Sequence, residues 1–361
     1  MKKAIGIIVT VFAVIVIAAL VAQPKVSVSA SQPSAPVVEG DGPEIMVAPE
    51  WTMATREWTA EELAAAQPMP LPELTDYDAA KISTAAFDRG GEVGTTAATL
   101  PEGMSGETFA ESFDLAPTSP TAGYDYPAPF TRYTDFGKYF KSWPAKAIGV
   151  LFFYQRGYAY RCSAASSGYA NVWTAGHCLH DGSGSSAGWS YNVIFMPSYD
   201  SGKKQGWQWL AYRLGTTSAW YYNGIPNGLG YDYASANVLR TKRRLLIQKV
   251  GALGFAYNYG DLNHWFAIGY PAAYPFNGAK QVICAASWAY NDTSITGIPH
   301  AIGCDQTPGT SGGPWILKYG TSNYINGNQS FRYTINPKEM YSPYYDTATY
   351  NLWKAFAYVI P

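Results

Sequence analysis

Two short segments hold the side chains best suited to chemistry, Trp173-Thr-Ala-Gly-His-Cys178 and Gly309-Thr-Ser-Gly-Gly-Pro314, and Gly230-Tyr-Asp-Tyr-Ala234 lies between them. Together they supply His177, Asp232 and Ser311, in that order, 55 and 79 residues apart. A serine hydroxyl is a poor nucleophile at neutral pH because it holds its proton. An imidazole with a pKa of about 7 can take that proton and return it to a leaving amine. A buried carboxylate beside the imidazole fixes its tautomer and stabilises the cation. Such a trio would carry out acyl transfer. Asp181, Asp200 and Asp261 are the other aspartates that could stand third. His180, three residues past His177, could be read as half of a metal pair, but no Asp/Glu/Cys cluster completes it, so neither metal nor cofactor is expected. His264 and His300 read as loop residues, with a pocket lining as the alternative for His300.

The elements that must hold these residues are short. From about Lys141 onward, apolar and aromatic runs alternate with Gly, Asn, Ser and Pro turns. The runs 147–153, 159–164, 191–196, 233–239, 265–269, 281–285 and 314–317 read as strands, with a turn at Gly157-Tyr158. Regular short strands separated by turn signals predict an all-β barrel or sandwich. A helix is expected only within 342–359. Charged residues make up 14% of the chain, against roughly 25% in an average soluble protein. That balance excludes a disordered chain, a coiled coil and a nucleic-acid binder with a basic patch.

The first 140 residues differ from the rest. Met1-Lys2-Lys3 precedes a charge-free run, Ala4 to Ala22, whose only polar side chain is Thr10. A basic start before an apolar stretch predicts a secretory signal over residues 1–30, with Val28-Ser29-Ala30 as a small-residue cleavage site. Residues 4–22 are also long enough to remain as a membrane anchor. Either way the remainder is exported, to a secreted or membrane-anchored place where disulfides persist. Residues 31–140 hold 18 acidic against 5 basic side chains and contain no Cys or His; residues 141–361 hold 8 against 17. The acidic stretch reads as a largely irregular propeptide or spacer: a flexible linker, or a pro-segment that binds and inhibits the basic part. One helix start is legible in it, the Thr59-Ala-Glu-Glu62 capping box. The division predicted is therefore 1–30, 31–140 and a catalytic unit over 141–361.

The words around His177 and Ser311 resemble the active-site signatures of the chymotrypsin-like (trypsin-fold) serine peptidases. Arg161-Cys-Ser-Ala164, Asp232-Tyr-Ala234 and Gly269-Tyr-Pro-Ala-Ala273 look most like the bacterial branch related to glutamyl endopeptidases. The resemblance covers about 215 residues, from roughly Ala147 to the end. It implies two six-stranded antiparallel β-barrels, divided near 241–249, with the site in the cleft between them. It implies a serine endopeptidase acting on protein or peptide substrates, with His177 as base, Asp232 as orienting group and Ser311 as nucleophile. The backbone N–H groups of Gly309 and Ser311 would then form the oxyanion hole. Of the three pairings that four cysteines allow, the resemblance favours Cys162–Cys178 and Cys284–Cys304. It also implies that a new N-terminus, made by a cut after Arg132, Lys138, Lys141 or Lys146, orders the pocket.

Specificity stays open at this level. Asp305 stands six residues before Ser311, where trypsins place the acid that binds Arg or Lys. Glutamyl endopeptidases also carry Asp there, and read acidic side chains with a His and a Ser or Thr. The expected pocket wall, 324–330, includes Asn326 and Gly327 but no His. Basic, acidic, and apolar or broad preference all remain. The rival class is a silent peptidase-fold binding module in which Trp207, Trp209, Trp220, Tyr221 and Tyr222 form an aromatic face for glycan or cell wall. An esterase with the same trio is a further alternative.

Overall fold

The computed structural model describes residues 43–104, 128–134, 139–200 and 207–361. The expected signal or anchor and Lys138 lie outside the described residues, and among these no helix is long and apolar enough to cross a membrane.

Twenty short strands dominate the described residues. Six come from the acidic segment: β1 (Ile45–Val47), β2 (Gln67–Pro68), β3 (Glu73–Leu74), β4 (Ile82–Ser83), β5 (Gly94–Thr96) and β6 (Thr131–Tyr133). The next six are β7 (Ile148–Gln155), β8 (Tyr158–Ser166), β9 (Asn171–Thr174), β10 (Tyr191–Pro197), β11 (Trp209–Thr217) and β12 (Ala234–Val238). They run antiparallel in the order β11-β10-β7-β8-β9-β12, and β12 pairs back onto β11 to close a barrel. The β7–β8 hairpin turns on Arg156 and Gly157, both at positive φ, the geometry that matches strand twist in a two-residue hairpin.

The second sheet is barrel-like. It comprises β13 (Gly254–Tyr257), β14 (His264–Gly269), β15 (Val282–Asp292), β16 (His300–Gly303), β17 (Pro314–Leu317), β18 (Tyr324–Asn328) and β20 (Glu339–Ser342). This is one strand more than six, and β13 meets β18 in parallel, so the second unit departs in detail from a six-stranded antiparallel barrel. β19 (Arg332–Tyr333) stands apart and pairs only with β3. The chain passes between the barrels through Thr241–Lys249 and a short helix, where the division was expected. The C-terminal helix, Thr347–Ala357, is shorter than the expected range, because Glu339–Ser342 is drawn into the second sheet and Asp346 caps the helix instead.

Each barrel has an apolar interior. Leu151, Phe153, Val172 and Phe195 fill the first; Trp265, Ile302, Trp315 and Met340 fill the second. A third cluster joins the two through Trp173, Phe255, Ile268 and Trp353. The aromatic face of the binding-module alternative is absent. Trp209 and Trp220 are completely buried, Tyr221 is nearly so, and Lys242 and Lys249 cover the Trp207 ring. Of the five, Tyr222 alone is exposed. Trp209, Trp220 and Tyr221 are strand and helix residues used as core.

The described part of the acidic segment packs across both barrels instead of hanging free. Its capping box forms as expected, with Thr59 and Glu62 bonded reciprocally. Trp58 stacks on Tyr154 and donates from its indole to Asn192 O. β1 extends the first barrel at β11; β4 and β6 add to β15, and β5 to β13. Arg89 reaches a socket in the second sheet: it bonds Asp261 at 3.0 Å, Asn291 at 2.8 Å and Ile298 O at 2.8 Å, above the Tyr344 ring.

Burial alone would raise the pKa of the Asp261 carboxyl. The neighbouring His300 ring, a hydrogen bond from the Phe87 N–H and the Arg89 charge outweigh it and hold the carboxyl at about 2, below its ordinary 3.8. A carboxyl depressed by folding stabilises the protein above its unfolded pKa and loses that contribution as pH falls through the folded one. Urea unfolding should show Asp261 contributing in full above about pH 4 and fading towards about pH 2, and Asp261→Asn should lack that part of the acid dependence. Arg89→Ala, which strands the buried carboxylate, should cost about 3 kcal/mol at pH 7 in the same assay.

Candidate active site

Asp232 follows a single 3-10 turn, Leu229–Tyr231, at the entry to β12, and its side chain is completely buried. A buried carboxylate needs its oxygens satisfied, and three donors reach it. The His177 backbone N–H bonds Oδ1 at 2.7 Å, His177 Nδ1 lies 2.8 Å from Oδ2, and the Ser330 hydroxyl donates to Oδ2 at 2.6 Å. An acceptor-only carboxylate at Nδ1 requires the ring proton there, which leaves Nε2 as a free lone pair.

His177 sits on the one-turn helix Gly176–Leu179 after β9. Glycine at 176 is required by proximity: a Cβ there would stand 2.8 Å from the Trp220 ring and 2.9 Å from Asp232 Oδ1. Asp181, Asp200 and Asp261 are engaged elsewhere, with Arg156, Lys141 and Arg89 respectively. Of the four aspartates considered, Asp232 is the one on the imidazole.

Ser311 lies in the turn before β17. Its carbonyl accepts from Ser163 N at 2.8 Å, and the Ser163 hydroxyl donates to Gly309 O at 3.0 Å. Ser163 follows Cys162, and Cys162 is bridged to Cys178, the residue after His177. The bridge and the two Ser163 hydrogen bonds therefore tie the imidazole to the serine loop through one short path. Ser311 Oγ and His177 Nε2 are both buried and have no hydrogen-bond partner among the described residues. The second bridge, Cys284–Cys304, forms as expected and ties β15 to the approach to the serine loop.

Gly309 adopts φ +94°, open to glycine and strained for other residues, and a Cβ there would lie 3.0 Å from Ala272 Cβ. The loop is held from behind by a neutral network that the sequence motifs alone do not announce. The Thr310 hydroxyl meets Gln306 Oε1 and, at 2.6 Å, Gln329 Oε1. Gln329 donates to Gln306 at 2.9 Å, and Gln306 donates to Ala267 O and Val282 O. Ordering by a freed N-terminal ammonium would need an anion at this spot; Thr310 supplies none. The signal was present in the word itself, where Thr rather than an acid precedes Ser311.

The expected specificity residues fall differently. Asp305 is not an unpaired acid at a pocket base: Arg132 of the acidic segment pairs with it at 2.5 Å. Asn326 is spent inside the second sheet, accepting from Trp265 Nε1 at 3.1 Å and donating to Ala256 O at 3.0 Å. Gly327 backs onto Trp315 and Ser342, where a Cβ would stand 2.7 Å from the Ser342 oxygen. The segment that meets the Asp232 carboxylate is instead the one at Ser330, which leads into β19. His300 is enclosed in the second sheet, stacked on Trp315, so it lines no open pocket. His180 uses both ring nitrogens, on Ser185 O and Gly182 N. The grouping Cys162, His177 and Cys178 carries no metal chemistry because both sulfurs are in the bridge.

No family model matches the chain, and no curated protein matches it. Solved structures do. The protease Anisep from Arthrobacter nicotinovorans aligns at 33% identity and TM-score 0.53, over 59% of this chain and 95% of its own. A thermostable serine protease from an extremophilic microorganism aligns at 33% identity and TM-score 0.54, over 59% and 97%. A Glu endopeptidase solved with MPD aligns at 15% identity and TM-score 0.48, over 62% and 95%, too distant to bear on branch or specificity.

Thr310→Val should leave the Gln306 and Gln329 amides short of a partner and cost about 1–3 kcal/mol, measured as a lowered thermal midpoint with both disulfides intact.

Proposed function

The chain belongs to the chymotrypsin-like serine peptidases, and from that premise we propose that it is an exported endopeptidase that cleaves proteins through an acyl-enzyme on Ser311. The observation that carries the reading is the buried Asp232–His177 pair, with Nε2 left free on a helix bridged by Cys162–Cys178 to the strand that holds the serine loop. In this reading Nε2 takes the Ser311 proton as Oγ attacks a peptide carbonyl. Charge develops on the carbonyl oxygen, where the N–H groups of Gly309 and Ser311 receive it. The imidazolium, steadied by Asp232, gives its proton to the leaving amine, and water repeats the sequence on the ester. Two buried disulfides favour an oxidising, extracellular setting. The neutral Thr310 network supports a serine loop that does not wait for a new N-terminus. With Asp305 paired to Arg132, a lone carboxylate for cationic side chains is not what the full chain offers.

Casein digestion by the secreted protein, before and after limited proteolysis, tests the reading. Ser311→Ala should lose it by about a million-fold. Asp232→Asn, which spoils the tautomer and keeps the shape, should lower kcat about 10^4-fold. Hydrolysis of small esters with no casein cleavage in either sample would convert the assignment to an esterase.

A further inference from the structure

Residues 67–74 cross the front of the proposed site. At one end β2 lies parallel to β8, with Pro68 opposite Arg161, and Met69 N donates to Arg161 O at 2.9 Å. Next, the Met69 carbonyl accepts from Gly309 N at 3.3 Å, the N–H assigned above to the oxyanion hole. Leu71 is buried and joins the second-barrel cluster that includes Trp288, Cys304 and Met340. At the other end Pro72 O accepts from Arg332 N at 3.1 Å, and β3 runs parallel to β19, which begins two residues after Ser330. Glu73 pairs with the Arg332 guanidinium at 2.9 Å, and Leu74 O accepts from Thr334 N. Ser311 Oγ and His177 Nε2, which would have to meet a polypeptide, are covered in the full chain.

The direction of this crossing decides what it can do. A productive peptide places its carbonyl oxygen at Gly309 N–H and its leaving nitrogen towards the imidazole, which must protonate it. The imidazole is bridged to β8 through Cys178–Cys162, so the leaving side faces β8 and the acyl side faces β19. A hydrolysable peptide therefore runs from β19 to β8. Residues 67–74 run from β8 to β19. The nitrogen that follows the Met69 carbonyl leads away from the imidazole, and it is the ring nitrogen of Pro70. Pro70 and Pro72 also fix φ, so the segment gives up little chain entropy on docking.

We propose that residues 67–74 are the chain's own occupant of the substrate cleft, threaded against the direction of hydrolysis, and that this contact keeps the full-length protein inactive. The inference rests on the serine-peptidase reading and assigns its regulation: activation is displacement of this strand, not ordering of the serine loop.

The test is the rate at which a fluorophosphonate probe labels the full-length exported chain. Wild type should label slowly. Leu71→Asp, which unseats the buried side chain, should label about ten-fold faster or more, equivalent to about 1.4 kcal/mol of lost docking. Glu73→Arg, at the exposed edge and harmless to folding, should be accelerated in the same direction. A synthetic peptide covering Ala66 to Asp76 should slow the Leu71→Asp variant again, and a scrambled one should not. Equal, Ser311-dependent labelling of wild type and both variants would overturn the occupant while leaving the peptidase reading intact. Cleavage between residues 67 and 74 in resting wild type, seen by mass spectrometry, would show a substrate instead of an inverted occupant and would overturn the proposed direction. No labelling of any form, with native disulfides and melting retained, would bring down the peptidase reading and this inference with it.

Discussion

The carboxylate of Asp232 is the constraint on which the rest of the site depends. It is completely buried at the junction of the two sheets, and an ion taken out of water there costs several kcal/mol unless its lone pairs are used. Its partners come from both sides: His177 from the first barrel, by backbone and by ring, and Ser330 from the connection between β18 and β19. Asn328 adds a bond to the Asp232 carbonyl at 3.0 Å and accepts from Tyr345 at 2.7 Å, which in turn accepts from Trp173. Satisfying one anion therefore fixes how the two sheets meet. Gly176 follows from it, because any side chain there would push His177 off the carboxylate.

The serine loop is held by different physics. Nothing charged supports it. Gln306, Thr310 and Gln329 form a closed set of neutral hydrogen bonds behind Ser311, and Ser163 holds the loop from the first barrel. A neutral buried network is costly only when incomplete, and it does not depend on a chain terminus created later. The loop is therefore built in the same structure that contains the acidic segment.

What was legible in the sequence follows from length scale. The runs that became β7, β10, β14 and β17 are four to eight residues long, with turn residues at their ends, and such patterns survive tertiary context. The words around His177 and Ser311 were legible because glycine and cysteine there meet constraints that few other residues meet. The strands of the acidic segment were not: two or three residues carry no periodicity, and their pairing is chosen by the edges they land on. Asn326 was misplaced for a related reason. A strand residue next to a site faces the core or the cleft according to register, and the partners that set its register, Trp265 and Ala256, are some 60 to 70 residues away in sequence. The Asp305–Arg132 pair likewise joins residues 173 apart.

The strength with which the acidic segment holds is not set by its net charge. The opposite charges of the two parts draw them together, but exposed pairs such as Arg244–Glu102 and Arg332–Glu73 are each worth about 0–1 kcal/mol and weaken with salt. The stronger attachments are dry: Trp58 against Tyr154, Leu71 in the second barrel, and Arg89 on Asp261. The last has an asymmetry. Withdrawing Arg89 leaves a buried carboxylate without its cation, so the socket resists release unless another positive charge arrives. His300 stands 3.9 Å from Asp261, held neutral chiefly by its own burial and also by the Arg89 charge. Once Arg89 leaves, one of those opposing influences is gone while the attraction of Asp261 remains, so the imidazole becomes easier to protonate.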